Sequence, residues 1–89
     1  MVMEENKKVT FIRNLVMEDV HPVQKLYRIN GTDDYLVVSA EVPFFSVEPE
    51  TLIFAANSDG EIINWTELYG SFRGALDHEE ALRRGGYAW

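Results

Sequence analysis

The chain has 89 residues, enough for one small domain, and its 46% hydrophobic content predicts a packed core rather than disorder. Fifteen acidic residues against eight basic ones give a net charge of -7, which disfavours binding to nucleic acid or to acidic membranes. Because the chain contains no cysteine, disulfides, thiolate metal sites and cysteine nucleophiles are excluded.

The beginning of the chain predicts a frayed end rather than a targeting segment. Residues 1–8 (MVMEENKK) are polar and lack the apolar stretch of a secretory signal, so the folded domain is expected over 9–89. The longest strongly apolar run, YLVVSA, is far too short to span a bilayer. A cytoplasmic protein is therefore expected, with no membrane contact.

The middle of the chain predicts two β-hairpins after a first strand over 9–16. In 23–42, a strand VQKLYRI is separated by the turn signal NGTDD from the alternating strand YLVVSAEV. In 51–68, the turn NSDG separates TLIFAA from EIINWTEL.

The stretch ALDHEEALRRGG predicts one short helix near the end of the chain. Asp77 is suited to cap its N-terminus, with Glu80 three residues on, and Gly85 is expected to stop it in the left-handed conformation. The expected ion pairs along the helix are Glu79–Arg83 and Glu80–Arg84. The predicted fold class is α+β: a small antiparallel sheet of four or five strands, with this helix packed on it.

The acidic residues are unevenly distributed along the chain. Residues 31–72 contain no Lys or Arg but carry an expected acidic surface formed by Asp33, Asp34, Glu41, Glu48, Glu50, Asp59, Glu61 and Glu67. Such a region attracts a partner with a basic surface. The plainer interpretation is that these acids only keep a small domain in solution.

Several aromatic residues fall in predicted loops or at the end of the chain. Each can either cover the core or contact a partner, because Tyr, Trp and Arg are typical anchors of protein interfaces. The expected partner-binding residues are Phe44, Phe45, Tyr69, Phe72, Arg73 and Trp89.

His78 is the best candidate for chemistry, because imidazole titrates near neutral pH. Its neighbour Asp77 points in a different direction at a helix start, and Ser71 in GSFRG does not match the nucleophile elbow G-x-S-x-G. No catalytic residue, metal ligand or cofactor is therefore assigned.

Residues 35–87 contain the short segments PETLIF, SDGEI, W-x-E-L, GS-F-R-G, LDHEEAL and GGY. In these segments the chain resembles small acidic proteins of actinobacteria and their phages. The resemblance implies a phage or accessory protein, a class that commonly acts by binding a host protein. It implies no catalytic residues.

The sequence therefore predicts a non-enzymatic protein-interaction module that binds a host protein, or a second copy of itself, through the acidic surface and the aromatic loops. Two alternatives remain. An acidic mimic of nucleic acid would block a DNA-binding protein, although the hairpin acids fall on both sides of their strands. A small enzyme would use His78 with the GSFRG loop.

Overall fold

The computed structural model describes residues 7–15, 23–42 and 48–89. These form a small sheet-rich domain with one short helix, in agreement with the predicted α+β class. In chain order the elements are β1 (Lys7–Asn14), β2 (Val23–Ile29), β3 (Tyr35–Glu41), β4 (Glu50–Ala56), β5 (Ile62–Asn64), β6 (Phe72–Arg73), α1 (His78–Arg84) and β7 (Tyr87–Ala88).

The strand order across the sheet is β5-β4-β3-β2-β1-β7, and β6 also pairs with β4. The two predicted hairpins are present as β2–β3 and β4–β5, although β5 is only three residues long. The prediction of four or five antiparallel strands is wrong, because the described residues form seven strands and β7 runs parallel to β1. The prediction missed β6 and β7 because strands of two residues are too short to show an alternation of apolar and polar residues. Pairing between segments that are distant in the sequence also leaves no local pattern.

The main core lies between α1 and one face of the sheet, which we call the helix face. The alternation predicted for β3 places Leu36 and Val38 on this face, and Ile53 lies directly opposite Val38 on β4. Ala81 and Leu82 of α1 are fully buried against these residues. One small helix therefore covers the centre of the helix face.

A second, smaller core occupies the opposite face of the sheet. It consists of Leu26, Val37 and Ala56, with Leu15 and Ile62 packed against them. The β4–β5 turn reaches back over this face, since the Arg13 Nη2 donates to the carbonyl oxygen of Asp59 at 2.9 Å. Both faces of the sheet therefore carry buried apolar side chains.

The outer sides of β4 and β1, the outermost long strands, differ in how well they are paired. One end of β4 pairs with β5 and the other end with β6. Between these two pairings, the Ile53 carbonyl accepts from Leu68 N and Ile53 N donates to Ser71 Oγ, both at 2.8 Å. On the other side, β7 pairs with β1 only at Lys7 and Lys8. No described strand pairs with the outer edge of β1 beyond that point.

The helix boundaries follow the predicted chemistry in part. The Asp77 carboxylate accepts from Glu80 N at 3.0 Å, which confirms the predicted cap. The Glu80 carboxylate binds both Arg84, as predicted, and Arg83, so the predicted Glu79–Arg83 pair does not form. The predicted left-handed stop at Gly85 is also wrong. Gly85 is right-handed, with a φ of -80°, and the left-handed residue is the next one, Gly86, with a φ of +88°.

Candidate functional site

The eight acids of the predicted acidic surface lie in two groups at opposite ends of the central strands. Tyr35 pairs with Ala56 at one end of β3 and Glu41 pairs with Glu50 at the other. The turns carrying Asp33, Asp34, Asp59 and Glu61 adjoin the first end, and Glu41, Glu48, Glu50 and Glu67 lie toward the second. A strand of seven residues separates the groups by about 20 Å. The acids therefore do not form one continuous row.

Part of the second acidic group is neutralised by Arg73. Its guanidinium lies 3.0 Å from a Glu50 carboxylate oxygen and 3.1 Å from one of Glu67. The hydrogen bond to Glu67 raises the pKa of Arg73, and both charged neighbours act in the same direction. Arg73 thus relieves the repulsion between Glu41 and Glu50, which face each other directly across β3 and β4.

Tyr69 and Phe72 come together in one shallow depression of about 580 Å³, lined by residues 67–72 and Arg84. Tyr69 is 86% exposed. Phe72 is half-buried against the main core, and the Arg84 guanidinium lies 4.2 Å above the centre of its ring. One side of Phe72 therefore packs against the main core, and the other side lines this depression.

Trp89 lies in a different place, in a groove between α1 and the outer strands of the sheet. The groove, which we call the Trp89 groove, has a volume of about 290 Å³ and is lined by Phe11, Lys25, Tyr27, Glu79, Leu82 and Trp89. The Phe11 and Tyr27 rings meet edge to face, with centroids 5.7 Å apart and planes at 66°. Phe11 is 47% exposed and Trp89 is 52% exposed. Two large apolar side chains thus remain accessible around a buried floor.

The Trp89 groove combines these rings with charged groups. Lys25 and Glu79 line the groove, and Arg83, which lines an adjoining depression, lies over the Trp89 ring, 5.6 Å from its centre. Burial raises the pKa of the Tyr27 hydroxyl, and the nearby Glu79 carboxylate raises it further. Tyr27 therefore stays neutral and can donate a hydrogen bond at physiological pH.

A basic surface, which the sequence reading did not single out, covers the first two strands. Strands β1 and β2 contain no acid and carry Lys7, Lys8, Arg13, Lys25 and Arg28. None of these five side chains makes an ion pair with a described carboxylate, whereas Arg73, Arg83 and Arg84 all do. The two arginines of β1 and β2 donate to backbone carbonyls instead. Among the described residues, positive charge is therefore concentrated on β1 and β2.

His78 has a structural role that its position in the sequence does not reveal. Its Nε2 lies 3.0 Å from the carbonyl oxygen of Val23, which can only accept, so Nε2 carries a hydrogen. Burial holds the pKa of His78 below its usual value of 6.5, and the Val23 contact opposes this shift only in part. The neutral ring thus ties the start of α1 to β2.

Phe44 and Phe45 lie outside the described residues. Among the residues that the structure does describe, no group of three or more His, Asp or Glu side chains is placed to hold a metal ion. In the same part of the chain, no helix has the length and apolar character needed to cross a bilayer.

The sequence predicts strands at Phe11 and Tyr27 but gives neither residue a role. Alternation assigns each to a face, but which strand lies at the edge of a sheet depends on pairing between distant segments. Trp65 was likewise unassigned. It is 71% exposed and its ring lies 5.3 Å from that of Phe54, near the opposite edge of the sheet.

Comparison of the chain with protein-family models, with curated proteins and with solved structures found no match. The resemblance to small acidic proteins of actinobacteria and their phages therefore stays a prediction.

Proposed function

We propose that this protein is a non-enzymatic interaction module that binds a protein partner through the Trp89 groove. The observation that carries the proposal is the pair of half-exposed rings, Phe11 and Trp89, held around a floor made by Tyr27 and Leu82. Leu82 is fully buried and Tyr27 nearly so, and both belong to the main core, so the groove is built on a rigid part of the domain.

The composition of the Trp89 groove is typical of the centre of a protein interface. Trp and Tyr are among the residues that dominate the energetics of such interfaces, and Trp89 and Tyr27 both line this groove. A partner side chain entering the groove would remove water from Phe11 and Trp89. Loss of one such anchor costs about 2 kcal/mol or more, which weakens binding roughly 30-fold.

The geometry gives less support to the two alternatives. A mimic of nucleic acid needs a long run of similarly spaced negative charges, whereas the acids lie in two separated groups and Arg73 neutralises part of one. An enzyme based on His78 would have only Nδ1 to act as a base, because Nε2 is held by the Val23 carbonyl oxygen and burial lowers the pKa of the ring. The phage or accessory origin and the host partner implied by the resemblance remain part of the proposal.

The experiment is affinity capture from an actinobacterial lysate at about 0.1 M and about 1 M salt. The higher concentration weakens contacts between exposed charges and leaves apolar contacts in place. Trp89→Ala is compared with Trp65→Ala, which makes the same substitution near the other edge of the sheet. A partner kept at high salt, lost with Trp89→Ala and retained with Trp65→Ala, is the expected result.

Three results would contradict the proposal. A partner lost with Trp65→Ala but kept with Trp89→Ala would place binding at the wrong edge. A DNA-binding protein released as salt rises would favour the mimic. Capture of no protein, together with a monomer at all concentrations in sedimentation velocity, would remove the interaction module.

A further inference from the structure

We propose that the open edge of β1 binds an extended, acidic segment of the partner as an additional strand. The inference rests on the proposed function and names where and how the partner is held. Three observations support it: backbone of β1 beyond Lys8 that no described strand pairs on its outer side, positive charge on β1 and β2, and the exposed ring of Phe11 beside this edge.

The backbone of β1 presents hydrogen-bonding groups on its outer side. Lys7 N donates outward to the carbonyl of Gly86 at 3.1 Å, while the Lys8 carbonyl accepts from Asn30 on the β2 side at 2.9 Å. Because these directions alternate along a strand, the N–H and C=O of Phe11 face outward, like those of Lys7. The part of β1 beyond the β7 pairing runs to Asn14. That length, about 20 Å, accommodates a strand of ordinary size.

The charge along this edge selects an acidic occupant. Lys7 and Lys8 lie at its beginning and Arg13 near its end, and all three are exposed. Lys7 shares the helix face with Val9 and Phe11, whereas Lys8 points to the opposite face by the alternation of the strand. Carboxylates on either face of an incoming strand would therefore meet a cation.

The same charges oppose pairing with a second copy of β1. In an antiparallel pair of identical strands centred on Thr10, Lys7 of each copy would lie opposite Arg13 of the other. Like charges opposed across a strand pair are destabilising. An acidic segment would instead meet opposite charges at Lys7, Lys8 and Arg13.

Side chains next to the edge supply an apolar contact. Phe11 lies on the helix face, where it lines the Trp89 groove, and Trp89 directly follows β7 at the point where the outer side of β1 becomes open. An incoming strand that alternates apolar and acidic residues would place its apolar side against Phe11 and Trp89. Main-chain hydrogen bonds would then give affinity, and charge would give selectivity.

The test is a backbone-amide NMR titration of the ¹⁵N-labelled full chain with a blocked peptide that alternates Glu and Val over about seven residues, enough to span the edge. The expected result is a saturable shift of the Phe11 amide and slower hydrogen exchange there. The exchange of the Thr10 amide, which faces β2, should stay unchanged. Two control peptides accompany it: one with Lys in place of Glu, and one with N-methylated amides on the pairing side.

The Lys peptide and the N-methylated peptide should each bind at least about tenfold more weakly, because one loses charge complementarity and the other its main-chain hydrogen bonds. The double variant Lys7→Glu/Lys8→Glu changes exposed side chains only, and should reverse the preference toward the Lys peptide. Its unchanged amide spectrum elsewhere shows that it is folded.

Equal binding of the Glu and Lys peptides, shifts confined to the region of Trp65, or no shift at millimolar peptide would each overturn the inference. Dimerisation of the free protein through β1 in sedimentation velocity would overturn it in favour of a second copy. Failure of the peptide together with capture that depends on Trp89 would remove the edge but keep the proposed function. Loss of both would remove the function as well.

Discussion

The close approach of the Tyr69–Gly70 turn to the end of α1 leads to a stability prediction with a built-in control. Gly70 and Gly74 have similar left-handed backbones, with φ of +110° and +116°. A methyl group on Gly70 would overlap the Ala81 carbonyl oxygen and lie 2.7 Å from Gly85 N, whereas a methyl group on Gly74 would have no atom within 4 Å. Substituting each by Ala therefore separates backbone strain from steric overlap.

The expected losses follow from these two costs. Gly74→Ala carries only the penalty of a left-handed alanine, about 1–2 kcal/mol. Gly70→Ala carries the same penalty and a clash with backbone atoms that cannot rotate away, worth about a further 1–3 kcal/mol. A domain of this size has a free energy of unfolding of about 4–13 kcal/mol, so Gly70→Ala removes a large share of it.

Urea unfolding, followed by far-ultraviolet circular dichroism and tryptophan fluorescence, measures both variants against the parent chain. The predicted difference of about 2 kcal/mol corresponds to a gap of roughly 8–16 °C between the melting temperatures of the variants. Equal losses for Gly70→Ala and Gly74→Ala would refute the reasoning, because the steric contact with α1 would then contribute nothing.

Three further predictions concern buried polar groups. Thr51→Val should lower the free energy of unfolding, measured in urea, by about 1–3 kcal/mol. The reason is that the fully buried Thr51 hydroxyl donates to the Ala75 carbonyl and accepts from Asp77 N. An unchanged free energy would contradict the role of Thr51 in attaching the start of α1 to β4. Ser39→Ala should raise that free energy by about 1 kcal/mol, since the buried Ser39 hydroxyl has no hydrogen-bond partner in the described structure; destabilisation would argue against this. The pKa of His78 in the folded state is below 6.5, so the unfolded chain binds a proton at this residue first as the pH falls. His78 therefore does not change the stability above about pH 6.5, and it lowers the stability as the pH falls below that value. His78→Gln should reduce the decline in urea midpoint between about pH 6.5 and 5, and an unchanged decline would exclude His78 as its source.

Features encoded in short stretches could be predicted from the sequence. The alternation of YLVVSAEV identified β3, and the Asn-Gly turn signal joined it to β2. Asp77 and Glu80 marked the start of α1, because a cap is a contact between residues three apart. Local signals of this kind do not depend on the rest of the fold.

Features that join distant segments could not be predicted. The pairing of β1 with β7 brings together the first and last described strands, and this places Trp89 beside Phe11. Which edge of β1 is left without a described partner strand is a property of the whole sheet, so no motif within KKVTFIRN indicates it. The sequence identified Trp89 as a candidate contact residue but gave no means of finding its neighbours.

The most direct test of the binding surface uses Trp65→Phe, which leaves Trp89 as the only tryptophan. Acrylamide quenching of Trp89 fluorescence is measured free and with the captured partner bound, and the reciprocal Trp89→Phe variant reports on Trp65. The account predicts that the partner protects Trp89 from quenching and leaves Trp65 accessible. Protection of Trp65 with unchanged quenching of Trp89 would contradict it.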